Sequence, residues 1–147
     1  MATQVTAQDA AASAVRKLQE YGVAGCGGAG FPTYVKYSRT TPALIVNVQD
    51  SEPGYVKDKL ILLAYPDLMR RAVTLLKGTF GFQRVTFGIK GQYREWFSHL
   101  EGDLDITYTN NQYWTGEAKR LVNQVLGVQV PTSARTQDFG ATVSCIE

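Results

Sequence analysis

Residues 43–54, ALIVNVQDSEPG, place a short strand-like run directly before a polar turn. The run over 43–48 is apolar apart from Asn47, which is typical of a strand buried on both faces of a parallel sheet. Pro53 and Gly54 end the regular structure that precedes them. Because ligands of open α/β sheets bind outside the carboxyl ends of strands, this turn is a candidate site.

Helix and strand patterns alternate on both sides of this strand. Apolar spacing and good helix formers predict helices over 7–20, 57–77 (interrupted at Pro66), 91–100 and 115–126. Short apolar runs predict further strands over 84–89, 104–108 and 139–146. These spacings suit crossover connections, so the sequence predicts a single-domain α/β fold with an open, mostly parallel sheet and helices on both faces.

Helix ends are predicted from capping residues. Thr6 and Thr115 are expected to cap the helices that follow them. Gly78 and Gly81 are expected to end the helix after Pro66, and Gly127 the last helix. The segment 91–100 is expected to be amphipathic, with one apolar side formed by Tyr93, Trp96, Phe97 and Leu100.

Composition excludes several classes of function. The chain has 147 residues, 44% of them hydrophobic and 19% charged, with a net charge of +2, which fits one globular domain and gives no basic footprint for nucleic acid. No apolar run reaches the roughly 20 residues of a membrane span, and the first residues lack the apolar core of a secretory signal. One histidine and two cysteines argue against a multi-ligand zinc site or a Ser-His-Asp triad.

A glycine-rich loop, GCGGAGFP, occupies residues 25–32. Its exposed backbone N–H groups could form a concavity for phosphate, because glycine lets the backbone approach a ligand closely. It lacks the Lys-Ser/Thr ending of a P-loop, and it follows a helix where the dinucleotide fingerprint follows a strand. A phosphate cradle and a plain tight turn are equally supported by the residues alone.

Two further segments carry candidate binding groups. The end of the 43–48 run and the turn after it offer Asn47, Gln49, Asp50, Ser51 and Glu52, which suit recognition of a ribose or a ring edge. Taken alone, a polar exit loop explains these residues slightly better. Residues 108–117, YTNNQYWTGE, place aromatic rings beside a helix start, where anions and planar cofactors bind. The alternative there is a helix-capping loop with surface aromatics.

Together these segments resemble the flavin domain of the NADH-binding subunit of respiratory complex I, and the C subunit of the Rnf electron-transport complex with its cobalamin-reductase relatives. The family's G-x-G-G-A-G-F-P-T loop and following lysine correspond to residues 25–33 and Lys36. Its N-A-D-E-S-E-P-G strand end corresponds to 47–54, followed by Lys57-Asp58, and its G-E-Y-R to 91–94. Its Y-I-C-G-E corresponds to 113–117 and its I-N-N-V-E to 143–147, so the resemblance runs from about residue 22 to the last residue.

The resemblance implies a Rossmann-like flavin domain over 22–147, preceded by an N-terminal helix over 1–21. It implies FMN as cofactor and NADH as substrate, with hydride transfer from NADH to flavin. The residues that would surround flavin are Gly25, Gly27, Gly28, Gly30, Lys36, Asn47, Asp50, Ser51, Tyr113, Gly116 and Glu117. Phe31 and Glu52 would lie on the NADH side.

Partners and location also follow from the resemblance. We expect other redox subunits or an electron-acceptor protein as partners, with no nucleic acid and no membrane insertion; an oligomer is compatible with the sequence. The expected location is the cytoplasm, a reducing compartment, at the periphery of a membrane complex. The family's ubiquitin-like and cysteine-rich domains are absent from these residues. Cys26 and Cys145 cannot supply four cluster ligands, so we expect no iron–sulfur cluster of the chain's own.

Several positions depart from the family pattern. Gln49 and Asp50 replace the Asp-Glu pair, residues 110–112 replace a glycine-rich approach with bulky amides, and Ala118, Ser144 and Cys145 replace an acid and two asparagines. These departures support an alternative, in which the chain is a cofactor-free structural subunit of a redox complex. A further alternative is a pocket for another nucleotide or a corrinoid. The sequence is also compatible with a cut-out fragment or a free-standing flavin protein.

The glycine loop gives a direct test of the flavin interpretation. We expect Gly28→Val to abolish flavin retention, because a branched side chain would block the approach of the backbone to the cofactor. Retention is measured by absorbance after incubation with FMN and desalting. Wild-type affinity in this variant would contradict the assignment of the loop to the cofactor.

Overall fold

The computed structural model describes residues 7–26, 29–50, 52 and 54–146. Within these residues, four strands form one sheet in the order β3-β2-β1-β4, and all three strand pairings are parallel. The strands are β1 Ala43–Asn47, β2 Arg84–Lys90, β3 Ile106–Thr109 and β4 Ala141–Ser144. This arrangement confirms the predicted α/β fold with a parallel sheet.

Helices occupy the connections between the strands. The α-helices are α1 Ala7–Glu20, α2 Thr33–Tyr37, α3 Lys57–Ala64, α4 Pro66–Phe80, α5 Arg94–Phe97 and α6 Ala118–Leu126. Single 3₁₀ turns cover Gly91–Tyr93, Ser98–Leu100, Tyr113–Gly116 and Thr136–Phe139. The short helix α2, which directly follows the glycine loop, was not predicted from the sequence.

The two faces of the sheet carry separate apolar clusters. The larger cluster includes Leu44, Phe87 and Ile89 of the strands and Met69 of α4. On the opposite face, Ile45 packs with residues of α6 and β4, namely Leu121, Val122 and Ala141. Helix α1 packs against α2 and α4. Helices therefore cover both faces, as predicted.

Three predicted helix features are wrong. Gly78 does not end α4, which continues to Phe80 and ends at Gly81, where φ is +73° and the N–H bonds to the Lys77 carbonyl. A helical glycine costs only about 1 kcal/mol, so Gly78 is tolerated once the helix packs on the sheet. Thr115 is not a cap, because the 3₁₀ turn moves the start of α6 to Ala118 and Glu117 caps it. Thr6 lies outside the described residues.

The third error concerns the segment 91–100. Phe97 and Leu100 are buried, but Trp96 is 48% exposed and does not share their side. The segment is a four-residue α-helix between two 3₁₀ turns, so its side chains do not follow the 3.6-residue period on which the prediction rested. Across the described part of the chain, no helix combines the length and the hydropathy needed to cross a bilayer.

Packing of α6 on the sheet depends on a glycine in β2. A Cβ added to Gly88 would lie 2.8 Å from Cδ1 of the fully buried Leu121. We expect Gly88→Ala to lower the free energy of unfolding by about 1–3 kcal/mol, because an overpacked core displaces buried side chains. Urea denaturation followed by circular dichroism measures this change.

Gly78→Ala is the matched control. Nothing lies within 4 Å of a Cβ added to Gly78, and the residue lies inside α4. This variant should raise the free energy of unfolding by about 0.5–1 kcal/mol, because alanine is the better helix former. An unchanged urea midpoint in Gly88→Ala would show that α6 does not pack closely on this strand.

Candidate functional site

The carboxyl ends of the four strands meet at one edge of the sheet, since all the strands are parallel. The last residues of β1, β2, β3 and β4 are Asn47, Lys90, Thr109 and Ser144. All four are polar, although the preceding residues of β1, β2 and β4 are largely buried. We call this edge, with the loops that follow it, the carboxyl edge.

The glycine loop is closed at its base by backbone pairing. The Gly25 N–H donates to the Phe31 carbonyl at 2.8 Å, and Ala24 forms an antiparallel bridge with Pro32. Gly30 adopts φ +58°, a left-handed conformation that favours glycine. Gly27 and Gly28 lie outside the described residues. Phe31 is 49% exposed, so its ring is available on the outside of the loop.

Three hydrogen bonds join segments around the glycine loop and the carboxyl edge, and one of them is made by the loop itself. The Tyr55 hydroxyl donates to the Cys26 carbonyl at 3.1 Å, which links the turn after β1 to the loop. Lys36, which follows the loop, donates to the Ser144 hydroxyl at 3.4 Å at the end of β4. Lys57 donates to the Ile146 carbonyl at 2.9 Å. The structure therefore places the glycine loop beside the carboxyl edge, as the site prediction requires.

Asn47 joins the end of β1 to the turn before α6. Its side-chain amide donates to the Gly116 carbonyl at 3.0 Å, and its oxygen accepts from the Gln49 backbone N–H at 3.1 Å. A Cβ added to Gly116 would lie 3.2 Å from the Gln49 Cβ, so glycine allows this close approach. Asn47 and Gly116, two predicted site residues more than sixty positions apart, are thus in direct contact.

Gln49 lies buried beneath this contact. Its side-chain nitrogen donates to the Thr109 hydroxyl at 3.1 Å, across the end of β2. Its side-chain oxygen is buried and has no hydrogen-bond partner among the described residues. A buried acceptor without a partner costs about 1–3 kcal/mol, so this oxygen is suited to receive a hydrogen bond from a bound molecule.

Asp50 is the centre of an ion-pair cluster. Its Oδ2 lies 2.8 Å from Nζ of Lys90, and its Oδ1 lies 2.9 Å from Nζ of Lys59. Lys90 also donates to the Asp50 carbonyl oxygen at 3.2 Å, and Nζ of Lys59 lies 4.7 Å from the centre of the Tyr93 ring. Both lysine side chains are buried. We call Lys59, Asp50 and Lys90 the buried triad.

The charges of this region stabilise one another. Burial alone would raise the pKa of Asp50, but hydrogen bonds from Lys90 and Lys59 outweigh burial and hold the pKa below its usual value. Burial would likewise lower the pKa of Lys57, but its 2.8 Å ion pair with Asp58 raises it above the usual value. Asp50 is therefore ionised at neutral pH, and Lys57 is positively charged.

The segment before α6 holds its shape through its own polar groups. Asn110 Oδ1 accepts from the Gln112 N–H and the Thr115 hydroxyl, and Asn111 Oδ1 accepts from the Gln92 N–H at 2.8 Å. Glu117 accepts from the first two N–H groups of α6, at Lys119 and Arg120. Tyr113 is 60% exposed.

The candidate residues separate into three groups. Lys36, Asn47, Asp50 and Gly116 lie at the carboxyl edge, with Gly25 and Gly30 in the neighbouring loop. Phe31, Glu52 and Tyr113 are exposed, and Glu117 is used as a helix cap. Gly27, Gly28 and Ser51 lie outside the described residues.

Sequence reasoning missed Lys59, Lys90 and Thr109. The one signal for Lys90 is a charge at the end of the apolar run 84–89, and Lys59 follows the Lys57-Asp58 pair. Neither pattern indicates which residue the lysine contacts, because the partner of both, Asp50, lies in the turn after β1.

The donor set of this edge suits a ligand that has a polar ring edge and an anionic tail. Gln49 offers an unpartnered buried amide oxygen, and the half-buried Lys36 offers a cation beside the glycine loop. The glycine at 116 lets the turn before α6 approach Gln49 closely. FMN has a ring edge with hydrogen-bonding atoms and a phosphate, so these residues fit it.

Comparisons with known proteins give one family model and several curated relatives that match most of this chain. A family model described as "Nuo51 FMN-binding domain" matches residues 18–147. The chain is 29% identical over 135 residues to the C subunit of the ion-translocating oxidoreductase complex of Salmonella gallinarum, and equally to that of Salmonella dublin. Each match covers 86% of this chain, but 20% and 19% of the relatives. The chain thus spans about a fifth of the length of these curated relatives.

Solved structures show the same fold. Crystal structures of a NAD+-reducing NiFe hydrogenase match with TM-scores of 0.79 in the H2-reduced state and 0.74 in the air-oxidised state. The sequence identities are 22% and 23%, and each match covers 95% of this chain and 29% of the hydrogenase chain. At this identity the likeness concerns the fold.

The buried triad should dominate the stability of this edge. We expect Asp50→Asn to lower the free energy of unfolding at pH 7 by about 3–5 kcal/mol, because it leaves two buried ammonium groups without their carboxylate. Urea denaturation measures the change. Asp67→Asn is the control, because Asp67 is 87% exposed and pairs with Arg70 on the surface, where a pair contributes about 0–1 kcal/mol.

The pH dependence has a defined sign. Because the pKa of Asp50 is lowered by folding, its contribution is complete above its unfolded pKa of about 3.9 and is lost as the pH falls through the lowered folded pKa. In Asp50→Asn, the free energy of unfolding should lack the part that the unaltered chain loses at acid pH. Equal acid sensitivity in the variant and the unaltered chain would contradict the assignment.

Proposed function

Because the chain belongs to the Nuo51 FMN-binding domain family, we propose that it binds FMN at the carboxyl edge and oxidises NADH there as an electron-entry module. The observation that carries this proposal is the buried, unpartnered side-chain oxygen of Gln49, a residue whose Cβ lies beside Gly116, the glycine that Asn47 contacts. The name of the hydrogenase relatives, "NAD+-reducing", supports a nicotinamide nucleotide as the second ligand.

Each part of the edge has a distinct task in this proposal. Lys36 and the backbone of the glycine loop would neutralise and cradle the phosphate, since a cation and clustered N–H groups both favour an anion. Asn47 and Gln49 would meet the polar edge of the ring, and glycine at 116 allows the turn before α6 to pack closely against Gln49. Bound FMN would supply two-electron chemistry toward nicotinamide and one-electron chemistry toward a later carrier.

The exposed residues Phe31 and Glu52 are suited to contact the nicotinamide nucleotide. Phe31 presents about half of its ring to solvent beside the glycine loop, where it could stack on a planar base. Glu52 is exposed in the turn after β1 and would bond the nicotinamide nucleotide. In this arrangement the chain contributes orientation and electrostatics, while the electrons pass to a redox subunit or another acceptor protein.

The cofactor-free alternative loses its main argument. It rested on the bulky amides at 110–112, but Asn110 and Asn111 use their side-chain oxygens to hold the loop and the Gln92 backbone. Their carboxamides thus have a structural task in the loop. The replacement of Asp by Gln at position 49 likewise retains a buried hydrogen-bonding group at the edge.

A visible spectrum tests the proposal. The purified chain is incubated with excess FMN, desalted and scanned, and NADH is then added without oxygen. We expect roughly one flavin per chain, bleached by NADH, because both ligands would bind at one edge. Retained flavin that NADH does not bleach would contradict the NADH assignment alone, and no retained flavin would contradict the proposal as a whole.

Glu52→Gln separates the two ligands. We expect this variant to weaken NADH binding about tenfold while FMN affinity stays within twofold, since a carboxylate bond to the nucleotide contributes about 1.5–3 kcal/mol. Fluorescence titration of FMN and the NADH dependence of bleaching measure the two affinities. An equal loss of both would argue against a role of Glu52 on the nucleotide side.

A further inference from the structure

The buried triad contains more positive than negative charge. Nζ of Lys59 and Nζ of Lys90 lie 2.9 and 2.8 Å from the two carboxylate oxygens of Asp50. The side chains of the two lysines are 1% and 4% exposed, whereas that of Asp50 is 20% exposed. The ammonium groups are therefore shielded from water, and the Asp50 side chain between them is partly exposed.

The neighbouring charges do not cancel this excess. Lys57 and Asp58 form their own 2.8 Å pair, which is neutral as a unit. In the part of the chain that the structure describes, Asp50 is the acid that pairs with both Lys59 and Lys90. The Tyr93 ring beside Lys59 adds a favourable contact but no charge. The cluster thus has two ammonium groups for one carboxylate, a net charge of +1.

A buried charge of this kind acts at a distance. Water and salt screen exposed charges strongly, but a charge inside the protein is screened much less. Asp50 directly follows Gln49, whose unpartnered oxygen marks the proposed ring position. The excess charge therefore lies beside the place where a bound ring would change its own charge.

We propose that the buried triad favours the reduced form of FMN over the oxidised form. This inference rests on the proposed function. NADH transfers a hydride, which is two electrons and one proton, and becomes NAD+; the neutral ring gains one negative charge. A fixed positive charge stabilises this product more than the neutral ring, and because it is in place beforehand it needs no reorganisation. Lys59 and Lys90 are thus positioning residues that act through the electrostatic field of the triad.

The phosphate of FMN offers a different explanation that the experiment can separate. The phosphate has the same charge in both redox forms, so a triad that binds it would strengthen both forms equally. It would also leave riboflavin, which has no phosphate, unaffected. A triad that acts on the ring would instead discriminate between the redox forms of both FMN and riboflavin.

The test measures the affinities of the full chain for oxidised FMN and for dithionite-reduced FMN without oxygen. Lys59→Met and Lys90→Met, made separately, each remove one charge and keep an unbranched side chain. We expect each to weaken reduced FMN about tenfold more than oxidised FMN, which corresponds to a midpoint potential about 30 mV lower for a two-electron couple. Lys17→Met removes an exposed lysine of α1 and should change neither affinity.

Two further variants distinguish an effect of charge from a general loss of folding, because they predict different changes in the preference for reduced FMN. Asp50→Asn makes the triad more positive and should shift the ratio of affinities in the opposite direction, toward reduced FMN. Lys59→Arg keeps the charge and should keep the ratio of the unaltered chain. Circular dichroism identifies the folded variants. A folded lysine-to-methionine variant and folded Asp50→Asn should change the ratio in opposite directions, and a change in the same direction in both would overturn the inference.

The outcomes separate this inference from the proposed function. If the unaltered chain retains no FMN, the proposed function fails and this inference fails with it. If it retains FMN, but the methionine variants weaken both redox forms equally, the inference alone is overturned. If the methionine variants bind both redox forms of FMN equally more weakly but bind riboflavin as the unaltered chain does, the triad interacts with the phosphate. The inference is supported if the preference for reduced over oxidised FMN falls in the Lys→Met variants and rises in Asp50→Asn.

Discussion

The pairing of two buried lysines with Asp50 is the constraint on which the carboxyl edge depends. It joins the turn after β1 to α3 and to the end of β2. An ammonium group can be buried only if a partner compensates for lost hydration. The turn that contains Asp50 therefore has to return to this position whenever α3 and β2 pack in their places. The neighbouring residues Asn47 and Gln49 are held at the edge by the same requirement.

Weaker polar contacts complete the edge around this cluster. Lys36 reaches the end of β4, Tyr55 reaches the glycine loop, and Asn47 reaches the turn before α6. Each bond contributes about 1 kcal/mol by itself. Together they bring three segments with binding residues to one side of the sheet, while the apolar clusters on both faces keep the strand ends in register. The arrangement leaves a buried acceptor at Gln49 open to a ligand.

Much of the fold could be predicted from local patterns. The strand 43–47 and the split of the following helix at Pro66 follow from apolar runs and from proline, which act within a few residues of themselves. The errors arose where tertiary packing overrode a local preference. Gly78 stayed helical because α4 packs on the sheet, and Trp96 remained exposed because 3₁₀ turns changed the spacing around α5.

Patterns along the chain were enough to predict the parallel α/β class, the order of the binding segments and the resemblance to a flavin-binding family. These depend on residue spacing and on motifs that are continuous in the chain. Only the tertiary structure decided which side chains are partners: Asp50 with Lys90, forty positions away, and Lys36 with Ser144, 108 positions away. It also converted Gln49 from an apparent departure into a buried element of the edge. Such pairings depend on which strand ends lie next to each other in the folded chain, and a local sequence pattern does not predict that proximity.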